Sequence, residues 1–298
     1  MPKIEPSATK ASPRTPSRWS QDRRIEFIDF RLRWEGRLNR SDLTAHFSIS
    51  VPQASLDIAK YLELAPENMA YDKSARVYVA GPAFEPLFAS SSASQYLNEL
   101  LSVQTGLLGP EASFLGWQPT MDVVPTPGRQ LDSDTLVGLV TAIRAQRPVS
   151  VLYQSMTQEE PQRRTVSPHA LANDGFRWHV RAFCHVRQQF RDFVIARILK
   201  IETSADTYVE AAADEHWART VVLEIAPNPE LAGAHRRVIE LDYGMVGGKA
   251  ALVCRQALLF YALKHLGLDQ LTGGSPKAHQ IVLENRAEIE PLLAGHSG

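Results

Sequence analysis

The chain of 298 residues has only two cysteines, Cys184 and Cys254, and neither sits at a CxxC or Cys/His spacing. That excludes a disulfide framework and a sulfur-based zinc site, and it fits a reducing compartment. No apolar run approaches the ~20 residues of a membrane span; the longest lies near residues 257–263. The first residues, MPKIEPSATKASPRTPSRWS, lack an apolar centre, so no secretory signal is expected and a cytoplasmic protein is. Clustered carboxylates for metal ions and a Gly-rich phosphate loop are also missing. Cys184 stands beside His185, but neighbours on a strand point to opposite faces and make a poor nucleophile–base pair. His169, His179 and His185 have no carboxylate or cysteine at ligand spacing, so no metal and no cofactor are expected.

What is present is average in bulk and uneven in detail. Hydrophobic residues make up 44% and charged residues 22% of the chain, enough to build a core, and the length suggests two or three domains. The formal net charge of −1 hides two basic regions: residues 1–40 hold ten Lys and Arg against five Asp and Glu, and residues 141–200 hold ten against four. Each is a candidate anion-binding region.

Residues 1–19, rich in Pro, Ser, Thr and basic side chains, cannot bury much surface and are expected to be a disordered arm. A winged helix-turn-helix is expected over 20–83. Ile25, Phe27, Ile28, Phe30, Leu32 and Trp34 recur at helical spacing over 22–34, and Gly36 stops that helix. Asn39, with Asp42 three residues on, caps a short helix over 40–47, and Ser50 caps a third, with Pro52 tolerated in its first turn. Ala54, Ile58 and Leu62 face inward. Two β-like runs, 68–71 and 76–80, flank a charged tip at Asp72, Lys73 and Ser74. A helix of this kind fits the major groove, so Ser50, Pro52, Gln53 and Ser55 are candidates for contact with bases or phosphates. Arg40, Lys60, Lys73 and Arg76 would add sequence-independent phosphate attraction.

A connecting helix and a Gly/Pro-rich linker are expected over 84–130, then a β module over 131–210 opened by a helix capped by Asp132 or Ser133. Asn173, Asp174 and Gly175 mark a tight turn. In the strand that follows, Phe176, Trp178, Val180 and Ala182 share one face, and Arg177, His179, Arg181 and Phe183 the other. Two guanidiniums around an imidazole, beside an aromatic ring, suit a phosphate or carboxylate. The run 190–202 reads as one more strand carrying Arg197, beside a strand with Tyr153 and Ser155. The tail, 218–298, reads as an α/β unit with little to do chemistry: strands over 219–226 and 247–254, a helix running into a strand over 227–241, and a helix ended by Gly267.

The segment SDLTAHFSISVPQASLDIAKYLEL resembles the helix-turn-helix of bacterial one-component regulators. VLYQS, RxVxPHAL, the NDG turn, RWHVRA and ARILKIE resemble the WYL domain, with Trp178, His179 and Val180 at the position of its name-giving triplet. In their order the parts are most similar to the BrxR/CapW group of regulators found beside phage-defence operons such as BREX and CBASS. The resemblance implies an α+β multidomain chain with an N-terminal winged helix, a central Sm/SH3-like β-barrel and a C-terminal dimerisation extension. It also implies a homodimeric repressor, not an enzyme, which binds double-stranded DNA at an inverted repeat without any membrane role. A nucleotide or nucleic-acid effector would release it from a pocket formed by Tyr153, Ser155, His169, His179, Arg181, Phe183 and Arg197. The alternatives are a nucleic-acid-processing enzyme using the basic strand and a protein-binding adaptor using the helical domain.

Overall fold

The computed structural model describes residues 16–125, 127, 130–269 and 279–293. The chain divides into two compact units, Met1–Thr126 and Pro127–Gly298. The expected arm over 1–19 lies outside the described residues up to position 15; Pro16 already opens the first helix.

In the first unit, α1 (Pro16–Glu35) buries Ile25, Phe27, Ile28, Phe30 and Leu32 and stops at Gly36, whose φ of 70° suits a residue without a Cβ. Two residues of strand follow, β1 (Arg37–Leu38), then α2 (Arg40–Phe47) with the capping box of Asn39 and Asp42. Ser48, left-handed at φ 52°, turns the chain into α3 (Val51–Leu64), where Ser50 caps the Gln53 amide at 3.3 Å. Two strands, β2 (Met69–Asp72) and β3 (Val77–Ala80), form the wing, closed by the Asp72 carboxylate accepting from the Ser74 and Ala75 amides. Arg76 lies in the turn at φ 55°, not in the strand as expected. The sequence reading missed β1, which pairs with β3 and widens the wing to three strands.

After α4 (Ala93–Gln104), the stretch read as linker returns to this core. Phe114 is buried edge-on to Phe27 at 5.2 Å, Arg23 lies 3.9 Å above its ring, and the Gly116 amide donates to Glu35 at 2.9 Å. Burying a side chain of this size is worth about 1.5–3 kcal/mol, so residues 113–116 belong to the first unit energetically.

The second unit begins with α5 (Ser133–Ala145), capped by Asp132. A five-stranded antiparallel sheet follows: β4 (Val149–Tyr153), β5 (Gln162–Asn173), β6 (Trp178–Cys184), β7 (Gln189–Val194) and β8 (Ile198–Thr203), in the order β7-β6-β5-β4-β8. The expected closed barrel is not seen: among the described residues no ladder joins β7 to β8, and the sheet is open. The single strand expected over 190–202 is two strands separated by a 3₁₀ turn, Ile195–Arg197. Alternation along β6 holds in its middle: Val180, Ala182 and Cys184 join Val151, Val166 and Ile198 in the core, under Leu139 of α5. Trp178 and Phe176, expected on the same face, are exposed, and Phe176 precedes the strand.

The rest comprises α6 (Glu215–Ala218), β9 (Thr220–Pro227), α7 (Ala234–Asp242), β10 (Ala250–Arg255), α8 (Leu259–His265), β11 (Ile281–Leu283) and α9 (Arg286–Ile289). Strand β9 lies between β10 and β11, over a core of Leu223, Ile225, Ile239, Leu259 and Leu263. The strand expected at the end of α7 is absent; the helix ends in a turn at Tyr243 and Gly244. Strand β11 was not foreseen. Among the described residues no helix is long and apolar enough to cross a membrane.

Candidate functional site

Helix α3 is pinned from behind by charge. Asp57, wholly buried, receives Arg24 of α1 through Nε at 2.6 Å and Nη2 at 3.1 Å, and the amides of Gln21 and Gln53 at 3.3 and 3.1 Å. One turn on, Tyr61 donates 2.7 Å to buried Asp29, which also accepts from Ser91 Oγ and the Leu87 amide. Burial pushes the Tyr61 phenol far above its ordinary value, so it stays a donor. These bonds fix the roll of α3 about its axis, which decides the stripe it presents outward.

That stripe carries Pro52, Leu56, Ala59 and Lys60, with Ser55 half-buried beside it. Of the sequence candidates, Ser50 is exposed but occupied as the cap, Ser55 donates to the Val51 carbonyl, and Lys60 pairs with Glu63 at 2.9 Å in the open. An exposed pair of this kind is worth under about 1 kcal/mol and yields readily to another anion. Gln53 is turned toward Asp57, which makes it a brace for the helix. Arg40 is exposed and donates to the Tyr78 hydroxyl at 2.9 Å; Lys73 and Arg76 are exposed at the wing tip. Sequence reasoning missed exposed Val51 and Leu56, whose only signal was being apolar at solvent-facing helical positions.

In the second unit, the outer face of β6 meets the segment after β8 and helix α8. Arg181, 3% exposed, is held by Asp214 through Nε at 2.7 Å and Nη2 at 3.0 Å, and by Asp192 at 3.3 Å. His169 adds a 3.0 Å contact to Asp214. Burial works against the ionised forms here, but the two carboxylates raise Arg181, and the His169 and Arg181 bonds hold Asp214 well below the usual carboxylate range. His179 Nε2 lies 2.9 Å from Asp174. Burial would raise Asp174, yet His179 and the amides of Phe176 and Arg177 hold it down at about 2.

Above this network opens a cavity of about 330 Å³. Tyr153, His179, Arg181 and Arg197 all line it, so four of the seven effector candidates converge. Arg177, Arg191 and His216 add basic groups, and Phe190, Phe260 and Tyr261 add rings. Three candidates lie elsewhere: Ser155 is half-buried and bonded to Thr157, His169 sits behind Arg181 on Asp214, and Phe183 packs on His185 and Phe190. Among the described residues Arg197 has no ion pair, whereas Arg181 is already neutralised.

With both sites in place, the chain matches three family models in sequence order. The BrxR transcriptional regulator winged helix-turn-helix domain covers residues 20–102, the WYL domain 134–203, and the BrxR transcriptional regulator C-terminal dimerization domain 220–289. A protein of Stenotrophomonas maltophilia named DNA-binding transcriptional repressor CapW is 45% identical over 278 residues, 93% of each chain. Proteins of the same name are 44% identical over 281 residues in Escherichia coli and 46% over 278 residues in Pseudomonas aeruginosa, again over 93% of each chain. The chain belongs to the BrxR/CapW family. Within that frame α3 and the wing fall in the BrxR winged helix, and the cavity opens on the WYL sheet. His216 lies between the matched WYL and C-terminal segments, and Phe260 and Tyr261 lie inside the C-terminal one. The sequence reading of the tail over 218–298 as having little to do chemistry passed over Phe260 and Tyr261, and His216 before it was given no role, because nothing local marks them.

Proposed function

We propose that the chain is a homodimeric, DNA-binding transcriptional repressor of a phage-defence operon. It binds an inverted repeat in double-stranded DNA and is released by a nucleotide or nucleic-acid effector held in the WYL cavity. The observation that carries the DNA reading is α3, braced from behind by Asp57 and Asp29 and open along Pro52, Leu56, Ala59 and Lys60, with the Lys73–Arg76 wing tip exposed for phosphate. Val51 and Leu56 offer apolar contacts to thymine methyl groups, and Ser55 a hydroxyl to a base edge. The relatives' name supports repression, and the match to a BrxR dimerization domain supports two copies. Two α3 helices then enter successive major grooves about 34 Å apart, which requires a palindromic operator.

The effector reading is supported by Arg197, which among the described residues has no carboxylate partner and stands at a cavity walled by aromatic rings. To release DNA, the effector must prefer one conformation of the dimer over the other; equal affinity for both shifts nothing. A gel-shift titration with the DNA upstream of its own coding region tests the first half. Salt-dependent binding to an inverted repeat is expected, and binding indifferent to salt and sequence contradicts it.

A further inference from the structure

The cavity is not a property of the WYL sheet alone. Phe260 and Tyr261 come from α8, at the heart of the segment matched to the C-terminal dimerization domain. Helix α8 also touches the β5–β6 turn: a Cβ on Gly175 would lie 3.0 Å from the His265 ring, and Phe176 lies 5.8 Å from it. The Tyr261 ring packs 5.0 Å from His179, and burial together with nearby Asp192, the carboxylate that also holds Arg181, pushes its phenol upward. Tyr261 is therefore committed to the protein. Phe260 is less so: it is 40% exposed, lines this cavity and a second one, and has Tyr261 edge-on at 5.7 Å and Lys264 Nζ 6.0 Å from its ring centroid.

Two demands meet in about 330 Å³: an anion for Arg197 and a flat ring for Phe260. This volume is at the small end for ligand sites and holds one small molecule.

We propose that the occupant is a single nucleotide unit, free or at the end of a strand, whose base stacks on Phe260. Helix α8 thus supplies effector contacts directly from the C-terminal domain. Tyr261 is a positioning residue that seats α8 against His179. This rests on the effector-pocket reading above, so the test separates the two. The full chain is titrated by calorimetry with 5′-nucleoside monophosphates, a 5′-phosphorylated oligonucleotide and inorganic phosphate. The wild type is compared with Arg197→Ala, Phe260→Ala and Phe260→Tyr, each first checked for an unchanged melting transition.

A nucleotide is expected to bind at least tenfold more tightly than inorganic phosphate. Phe260→Ala is expected to weaken it tenfold or more, the usual scale for losing one base–aromatic stack, and Phe260→Tyr to restore it. If Arg197→Ala removes binding while Phe260→Ala leaves it intact, the pocket reading stands and the role of α8 is overturned. If Arg197→Ala binds as well as the wild type, or no nucleotide binds the wild type, the pocket reading falls and this inference with it.

Discussion

In the winged-helix unit the outward cations Arg40, Lys73 and Arg76 are spread over α2 and the hairpin tip, whereas in the second unit the half-buried Arg177, Arg191 and Arg197 line one concave wall beside aromatic rings. Both units also keep an arginine inside: Arg24 on Asp57 and Arg181 on Asp214 and Asp192. The buried pairs do similar work, fixing the angle of an element. The remaining cations do different work. Dispersed exposed cations suit a long polyanion met through many weak, screened contacts, and a cation at an aromatic-walled cavity suits one small anion. A count of basic residues along the chain finds both regions and cannot tell them apart.

The harshest way to break this comparison is to unpair a buried arginine. Asp57→Ala strands a guanidinium that is 10% exposed and is expected to cost about 3–5 kcal/mol in denaturant unfolding, whereas Asp214→Ala leaves Arg181 with Asp192 alone at 3.3 Å and is expected to cost less. The two losses should differ in consequence: Asp57→Ala frees the roll of α3 and weakens operator binding beyond its effect on stability, whereas Asp214→Ala disturbs the cavity. Next comes the cation at the cavity. Arg197→Ala should weaken the effector by about 1.5–3 kcal/mol and leave operator affinity unchanged, as read by calorimetry and gel shift. Arg181→Ala, the variant the sequence alone suggests, is a poorer probe, since it also leaves two buried carboxylates without their cation.

Salt sharpens the contrast further. Removing Lys73 or Arg76 should lower the slope of log K against log salt by about 0.9 for each phosphate that is no longer neutralised, across all DNA sequences alike. Acid gives a fourth test. Asp174 stands at about 2 when folded against an ordinary 3.8, so its contribution is whole above pH 3.8 and is lost as pH falls toward 2. Melting temperature should therefore fall over this window in the wild type, and fall less in His179→Ala, which lacks the bond that holds Asp174 ionised. The smallest effect expected is Ser50→Ala, about 1 kcal/mol of stability from removal of the α3 cap.

Much of the first unit was readable because its signals are local. Gly36, the Asn39–Asp42 box and the Ser50 cap each act within four residues, so they place α1, α2 and α3 closely. The face of β6 was equally plain from alternation, with Val180 and Ala182 inward. What could not be read is what alternation leaves open: whether the second face meets water or protein. His179 and Arg181 are buried because Asp174, Asp192 and Asp214 reach them, and Asp214 is 33 residues away from Arg181. Arg24 finds Asp57 at the same separation of 33. Phe114 was hidden in a Gly- and Pro-rich stretch that looks like linker, and Phe260 in a helix whose apolar spacing reads as core. Partners set by tertiary contact leave no periodic trace.

Fluorescence anisotropy of a labelled upstream inverted repeat decides the account most directly. The full chain is compared with Lys60→Glu/Arg76→Glu, at two salt concentrations, with and without saturating 5′-nucleotide. The account predicts tight, salt-sensitive binding by the wild type, near-complete loss in the charge-reversed variant, and release by nucleotide that Arg197→Ala abolishes. Equal binding by wild type and charge-reversed protein would contradict it.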